Sequence, residues 1–256
     1  MSQPLKILFF DVETAPLLSH HWRTFKENIA PGQIVNHSFM LTWAAKWRGR
    51  KTIMSSRLTS TEAKEQDDVR IVTELAELIR EADIIIAHNI RRFDLPVVNT
   101  RLALQGLEPL DVPKTVDTLQ IAKSNFKFST NNLDNIARQF GVGKKIKTDF
   151  DLWLASYHGS NSALKEMERY NKMDVELLED VFEKMLPYAN RGVPRLVDAE
   201  RPREKACPYC GSDHVWVRGY HRAPVNTYQK LQCQTCQKYF RHFSAMSNKR
   251  LAFNSI

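Results

Sequence analysis

Four acidic residues lie in three short segments whose surroundings are mostly apolar. Asp11 and Glu13 end an apolar run that begins at Leu5, Asp94 follows a second apolar run, and Asp174 lies in a long helical pattern. Carboxylates gathered in an apolar setting repel one another unless cations neutralise them. Oxygen ligands of this type hold divalent metals, and paired metals cut or make phosphodiester bonds. The sequence therefore predicts a divalent-metal site built from these four acids.

A strand would position the first two acids. Leu5 to Val12 is apolar on both alternating sets of positions, as in a strand buried on both faces. Because side chains alternate along a strand, Asp11 and Glu13 point to the same side. Acids are depleted in strands, so a metal explains this pair better than a polar turn that merely closes the strand.

The third acid follows another predicted strand, Asp83 to Ala87, and precedes Leu95 and Pro96 at the start of a predicted helix. Two interpretations of Asp94 are open. It suits a metal site, and it equally suits an ordinary N-cap with proline in the first helical turn.

A long helix would carry the fourth acid. Between Ser162 and Leu186 an apolar stripe recurs at helical spacing, formed by Leu164, Met167, Leu178, Val181 and Met185. Tyr170 and Asp174 are four residues apart and fall inside that stripe, so they share one face. An acid on a buried stripe is unfavourable unless it is paired or binds a metal.

The three segments resemble the motifs of the DEDD, or DnaQ-like, 3'-5' exonucleases, which have a ribonuclease H-like fold. The matching segments are Phe9-Phe10-Asp11-Val12-Glu13-Thr14, Asn89-Ile90-Arg91-Arg92-Phe93-Asp94 and Tyr170-Asn171-Lys172-Met173-Asp174. Tyr lies four residues before the last Asp, and the position five before it is Arg169 rather than His. The chain therefore resembles the Tyr branch, which includes polymerase proofreading domains and ribonuclease D. The resemblance covers roughly residues 5–188, and polymerase motifs are absent.

The resemblance implies two Mg²⁺ or Mn²⁺ ions. One would be held by Asp11, Glu13 and Asp174, and the second by Asp11 with Asp94. It also implies that Tyr170 orients the attacking water, since a phenol with a pKa of about 10 is a donor rather than a base at pH 7. Three further residues would contact the substrate, namely Thr14, Asn89 and Phe93.

All four cysteines of the chain lie in two Cys-x-x-Cys pairs, formed by Cys207 with Cys210 and by Cys233 with Cys236. Two such pairs separated by about twenty residues are typical of a structural Zn²⁺ site with four thiolates. Disulfides or a redox pair are the alternatives. No secretory signal or long apolar run is present, which favours a reducing cytoplasm, either bacterial or that of a virus-infected host cell.

The net positive charge lies in the same C-terminal part. Residues 201–256 contain ten Lys or Arg and two Asp or Glu, an excess that equals the +8 of the whole chain. Aromatic residues are interleaved with these cations, a pattern typical of nucleic-acid binding. The alternative is a small ribbon whose aromatics form its own core.

Length and composition predict an α/β protein with a ribonuclease H-like mixed sheet flanked by helices, plus a small C-terminal zinc ribbon. We expect an exonuclease domain over residues 1–190, a linker over 191–205, the ribbon over 206–243 and a tail over 244–256. A single helix is predicted over residues 62–82. No membrane segment is expected.

The predicted activity is metal-dependent 3'-5' removal of nucleotides from single-stranded or frayed DNA, with the ribbon aiding nucleic-acid binding. Two alternatives are a 3'-5' exoribonuclease with the same residues and a non-catalytic DNA-binding recombination or replication accessory protein. The expected partner is DNA, with RNA as the alternative substrate and a DNA polymerase or another replication protein as a protein partner.

Overall fold

The structure is a computed structural model that describes residues 5–23, 28–146, 148–189, 193–194, 196 and 206–242. It divides into two compact units, the first formed by Lys6–Lys184. The second holds Leu5 and the described residues from Met185 onward. Most of the predicted linker and all of the predicted tail lie outside the described residues, so the predicted domain bounds stay predictions.

A five-stranded mixed sheet forms the centre of the first unit. Its strands are β1 (Ile7–Thr14), β4 (Met40–Trp47), β5 (Ile53–Arg57), β6 (Ile84–Ala87) and β7 (Lys114–Asp117), in the order β5-β4-β1-β6-β7. β1 pairs antiparallel with β4 and parallel with β6, and β6 pairs parallel with β7. Two short strands, β2 (Leu18–Ser19) and β3 (Ile34–Asn36), pair with each other in the segment between β1 and β4.

Seven helices are described in this part of the chain. They are α1 (Ser60–Glu65), α2 (Val69–Glu81), α3 (Asp94–Leu104), α4 (Thr118–Asn125), α5 (Leu133–Phe140), α6 (Phe150–Tyr157) and α7 (Asn161–Met185). A 3₁₀ turn, Leu186–Tyr188, follows α7. Within the described ranges no helix is both long enough and apolar enough to span a membrane.

Successive side chains of β1 point to opposite faces of the sheet, and different helices cover the two faces. Leu8, Phe10 and Val12 point into the core that α2 and α3 complete on one face of the sheet. On the opposite face Phe9 meets Phe182 of α7, with ring centroids 5.5 Å apart. Both faces of β1 are therefore covered, as its continuous apolar run requires, and its odd-numbered residues face α7.

The prediction of one helix over residues 62–82 is wrong. α1 ends at Gln66, whose left-handed conformation (φ 58°) breaks the helical path before α2 begins at Val69. Asp68, between the two helices, is fully buried and paired with Arg101 of α3, with 2.7 Å between Asp68 Oδ2 and Arg101 Nε. The residues between Ala63 and Val69 are all polar, so the apolar stripe of the predicted helix begins at Val69 and does not cross the break.

The second unit contains a three-stranded antiparallel sheet in the order β10-β9-β8. Its strands are β8 (Val215–Arg222), β9 (Thr227–Cys233) and β10 (Tyr239–Arg241). The four cysteines lie at its base, two before β8 and two at the end of β9 and in the turn that follows. The predicted fold class, a ribonuclease H-like mixed sheet with helices and a C-terminal zinc-ribbon-like module, is confirmed by this architecture.

Candidate active site

Three of the four predicted acids come together. One carboxylate oxygen from each of Asp11, Glu13 and Asp174 lies within 4.8 Å of the others. Asp11 and Glu13 are two residues apart on β1, so both point toward α7, and Asp174 is on the facing side of that helix. Strand alternation places the first two acids side by side, and the packing of α7 on this face of the sheet brings Asp174 to them.

Asp94 lies outside that 4.8 Å group but belongs to the same electrostatic cluster. It is the first residue of α3, and the N-cap position is Phe93, so the interpretation of Asp94 as an N-cap is not supported. Its side chain is fully buried, and neither carboxylate oxygen has a hydrogen-bond partner among the described residues. Burial and the neighbouring charge of Asp11 raise its pKa well above the ordinary value.

Burial and mutual repulsion disfavour the charged forms of the other acids. Burial, followed by the charge of Asp174, raises the pKa of Asp11 to about 7. Burial, followed by the charge of Asp11, raises the pKa of Glu13 to about 8. Burial also raises the pKa of Asp174, against the opposing effect of Lys145. Without further cations, several of these carboxyls would hold a proton at neutral pH.

Lys145 supplies one positive charge to this cluster. Its Nζ donates to Asp174 Oδ2 and, over 3.1 Å, to the hydroxyl oxygen of Tyr170. The same ammonium lies 5.2 Å from the centre of the Tyr170 ring. Burial opposes the charge of Lys145, but the attraction of Asp174 and Asp11 outweighs it and raises the pKa of the lysine. One lysine cannot balance four carboxylates.

Two neutral side chains orient the acids. The Asn171 amide nitrogen donates to Asp11 Oδ2 over 2.6 Å, and the Trp153 indole N–H donates to Glu13 Oε2 over 3.3 Å. The Trp153 ring also packs edge-on against Tyr170, with centroids 5.9 Å apart. These contacts hold the carboxylates in place while leaving other oxygens free, including the buried Asp174 Oδ1, which has no described partner.

The donor set fits divalent metal ions. The oxygens are anionic, close together and partly without partners, and hard cations such as Mg²⁺ and Mn²⁺ take carboxylate ligands. A metal would supply the positive charge that the cluster lacks. The residues that could hold it are Asp11, Glu13, Asp94 and Asp174.

The predicted substrate residues lie around the same strand ends. Asn89 has a left-handed backbone (φ 74°), and its N–H donates to Asp117 Oδ1 over 3.0 Å. Its own Oδ1 is buried without a described partner. Phe93 is 39% exposed, which is high for an aromatic residue next to a buried acid. Thr14 ends β1 and is half-buried.

Three site residues, Lys145, Asn171 and Trp153, were missed by sequence reasoning. Asn171 carried a signal, because it is three residues before Asp174 and therefore on the same helix face. Lys145 lies in a loop within a run of lysines, and Trp153 lies in a short apolar helix. Neither has a spacing that relates it to the acids, because tertiary folding alone brings them there.

The four cysteines form the second candidate metal centre. All are free thiols whose sulfurs lie within 4.8 Å of one another, with 3.6 Å between Cys207 and Cys236 and 3.5 Å between Cys210 and Cys233. Four ligands about 2.3 Å from a tetrahedral zinc would be roughly 3.8 Å apart. The donor set therefore fits Zn²⁺, and the cysteines are not joined as disulfides.

Comparison with protein families supports the assignment from geometry. A family model for the RNase H superfamily matches residues 8–186. The chain belongs to the RNase H superfamily. The match covers the mixed sheet, all seven helices and each of the four clustered acids, and it ends before the four cysteines.

Two relatives of this RNase H superfamily chain are DNA polymerases III of the PolC type. The protein from Ureaplasma parvum serovar 3 is 39% identical over 59 residues, which cover 23% of this chain and 4% of the relative. The protein from Mycoplasma pneumoniae is 35% identical over 99 residues, covering 37% of this chain and 6% of the relative. The chain thus spans only a small part of these relatives.

Among solved structures, the family B DNA polymerase of the hyperthermophilic archaeon Pyrobaculum calidifontis is similar, with a TM-score of 0.55 and 20% sequence identity. The likeness covers 75% of this chain and 26% of the polymerase. At this identity it shows the fold alone. Taken together, the matches confirm the resemblance to ribonuclease H-like nucleases that the acidic motifs predicted.

Proposed function

We propose that the Lys6–Lys184 unit is a metal-dependent 3'-5' exonuclease that acts on single-stranded or frayed DNA. The observation that carries the proposal is the carboxylate cluster of the partly buried Asp11 and Glu13 with the buried Asp174. The buried Asp94 joins this cluster, and neither of its carboxylate oxygens has a described partner. Membership of the RNase H superfamily supports this proposal, and so does the similarity to DNA polymerases III of the PolC type.

The four acids would bind two Mg²⁺ or Mn²⁺ ions, with Asp11, Glu13 and Asp174 holding one and Asp11 with Asp94 holding the other. When bound, such a pair activates a water molecule and stabilises the attacking and departing oxygens of a phosphodiester. Burial raises the carboxyl pKa values, so metal binding would displace protons and become tighter as the pH rises.

Tyr170 would act as a hydrogen-bond donor. Burial, and then the charge of Asp174, raises the pKa of its hydroxyl, so the phenol keeps its proton at neutral pH. Lys145 donates to the oxygen of that hydroxyl, which leaves the phenolic hydrogen to donate elsewhere. Tyr170 would therefore orient the attacking water, and Lys145 is a positioning residue that orients Tyr170.

The 3'-terminal nucleotide would be held by Phe93, Asn89 and Thr14. The exposed ring of Phe93 offers a stacking surface that tolerates any base, which suits an enzyme that must remove every nucleotide. The left-handed backbone of Asn89, held by Asp117, turns its side chain to a position where its buried amide oxygen lacks a protein donor. A donor group of the nucleotide would satisfy it.

The four cysteines would hold one structural Zn²⁺ ion, and the ribbon would help to bind nucleic acid. Zinc is assigned a structural role because four thiolates complete its tetrahedron and leave no position for a substrate. A DNA polymerase or another replication protein is the proposed protein partner, by analogy with the polymerase relatives.

The test uses single-stranded DNA labelled at the 5' or 3' end, with Mg²⁺ or Mn²⁺. With the 5' label, the products should form a ladder that shortens from the 3' end, and with the 3' label a mononucleotide should appear first. Release of the 5' nucleotide first, or cleavage of a closed circle, would contradict the proposal.

Parallel reactions separate the alternatives. Matched RNA oligomers that are degraded much faster than DNA would identify an exoribonuclease. Binding without any metal-dependent cleavage would identify an accessory DNA-binding protein. Asp174→Asn serves as the control for contaminating nuclease, because the substitution removes one ligand with almost no change in shape.

A further inference from the structure

The two faces of the β8–β9–β10 sheet differ in composition. The strand register places Trp216, Gln232 and Tyr239 in one cross-strand row, and Lys230 with Arg241 in another row on the same face. We call this the outer face. The opposite face carries the buried Leu231 and Cys233, which belong to the core of the ribbon, and also the exposed Val217, which pairs with Leu231.

Cations and rings alternate on the outer face. The Arg218 guanidinium lies 4.8 Å from the Trp216 ring centre, and Lys230 Nζ lies 4.9 Å from the Tyr239 ring centre. A third pair places Arg241 4.7 Å from the Tyr228 ring centre. Three aromatic rings are thus interleaved with three cations.

The exposure of these rings is not explained by the packing of the ribbon. Trp216 is 57% exposed and Tyr239 is 45% exposed, although the small core on the opposite face would gain from burying either ring. Asp213 is the only acidic residue between residues 206 and 242, and it precedes β8. The outer face is therefore positive and aromatic without an acidic residue to balance it, which favours a polyanionic ligand with flat apolar groups.

We propose that the outer face binds single-stranded nucleic acid by stacking bases on Trp216 and Tyr239 while Arg218, Lys230 and Arg241 contact phosphates. Base faces are covered in a duplex and accessible in a single strand, so exposed rings select single strands. Trp216 and Tyr239 are two strand spacings apart, about 9–10 Å. Each ring therefore receives a separate base of the same strand. This inference rests on the proposed nucleic-acid substrate and specifies the surface that holds it.

The ribbon offers matched controls. Tyr220 is 59% exposed on the same strand as Trp216, but it pairs with Gln229 after a register shift and therefore lies on the opposite face. Arg222 pairs with Thr227 and is exposed on that face too. Substitutions at these two positions remove an exposed aromatic ring and an exposed guanidinium, as substitutions on the outer face do, but they leave the outer face unaltered.

The experiment measures binding of the full chain to a labelled single strand in buffer without Mg²⁺, so that no cleavage occurs and zinc is retained. Trp216→Ala and Tyr239→Ala should each weaken binding by roughly five- to a hundredfold. Trp216→Phe should restore most of the affinity, because it keeps a stacking surface. Arg241→Gln should reduce the dependence of log affinity on log salt by about 0.7. Tyr220→Ala and Arg222→Gln should bind like the unaltered protein.

A strand of the same length without bases separates stacking from charge. The unaltered protein should bind it more weakly than Trp216→Ala binds normal DNA, because the contacts of both rings are lost. On the baseless strand Trp216→Ala should bind much like the unaltered protein. DNA and RNA strands are both tested, and zinc content confirms that each variant is folded. Equal binding of the normal and baseless strands, or a loss with Tyr220→Ala as large as that with Trp216→Ala, would refute the stacking face.

The proposed nuclease activity is tested separately by adding Mg²⁺ to the same complexes. A protein that binds through the outer face without cleaving would refute only the exonuclease. A protein that cleaves while Trp216→Ala and Tyr239→Ala bind normally would refute only the stacking face.

Discussion

The carboxylates of the candidate active site and the cations of the ribbon differ in sign and in burial. Asp94 and Asp174 are buried with carboxylate oxygens that lack described partners, whereas Lys230 and Arg241 of the ribbon are exposed beside aromatic rings. Buried charges interact strongly over a few ångströms because the surrounding dielectric constant is low, and exposed charges act on large ions with salt screening. If the proposed function holds, the first unit would bind small cations and the ribbon would attract a polyanion.

The largest effect should come from removing a carboxylate of the cluster. Asp11→Asn, Glu13→Gln, Asp94→Asn and Asp174→Asn should each lower turnover by orders of magnitude, because the charge that binds metal is lost. Binding of single-stranded DNA in Mg²⁺-free buffer should stay unchanged, because the ribbon is untouched. Rates with Mg²⁺ and affinities without it are the measurements.

A matched control is available on the same helix as Asp174. Asp180 is an exposed acid of α7, and Asp180→Asn should leave turnover unchanged. Near-normal activity of Asp11→Asn would contradict the assignment of the metal site.

Lys145→Met should have the next largest effect. It removes two charge-assisted hydrogen bonds, to Asp174 and to the Tyr170 hydroxyl, while keeping most of the side-chain volume. Hydrogen bonds to charged groups contribute about 1.5–3 kcal/mol, so we expect roughly a 10- to 100-fold lower kcat. Lys145→Arg should keep part of the kcat that Lys145→Met loses. Lys144→Met tests whether any positive charge in this loop affects kcat. Equal losses for both Met variants would contradict a specific role of Lys145.

Disruption of the ribbon should leave the first unit folded. Cys233→Ser removes one of four thiolates, so zinc content should fall from about one ion per chain to near zero and the ribbon should unfold. Affinity for single strands should weaken by about tenfold or more as the stacking face is lost. Turnover at saturating DNA should survive, because none of the four acids is affected. Zinc analysis and kinetics are the measurements, and loss of turnover would show that the two units depend on each other.

The smallest effect concerns metal-free stability and its pH dependence. The folded-state pKa values of Asp11 (about 7) and Glu13 (about 8) lie above their ordinary values. Their contribution to stability is therefore fully present below about pH 4 and is lost as the pH rises toward 8. Asp11→Asn should raise the Tm of Mg²⁺-free protein at pH 8, by roughly 2–4 °C for each kcal/mol gained in the free energy of unfolding. The rise should be smaller at pH 5.

Addition of Mg²⁺ provides the complementary measurement. It should raise the Tm of the unaltered protein at pH 8, because a ligand that binds only the folded state stabilises it, and should have little effect on Asp11→Asn. Dialysis, rather than a strong chelator, removes Mg²⁺ without taking zinc from the ribbon. A lower Tm for Asp11→Asn at pH 8 would show that the carboxylate is not strained by burial.

Much of the fold could be predicted from the sequence because its patterns are local. The buried strand, the start of the helix at Asp94 and the long helix were predicted to within a few residues. The break between α1 and α2 was missed, because a buried ion pair between Asp68 and Arg101 fixes it and the two residues are far apart in the chain.

The sequence by itself determined which residue types lie on each side of a strand or helix, since covalent geometry places Asp11 with Glu13 and Tyr170 with Asp174. It also determined that the net positive charge lies in residues 201–256. Only the tertiary structure decided that Lys145 and Trp153 join the acids, and that Trp216 and Tyr239 lie in one row of the outer face. These outcomes depend on packing between distant segments and on strand register, and neither leaves a fixed spacing along the chain.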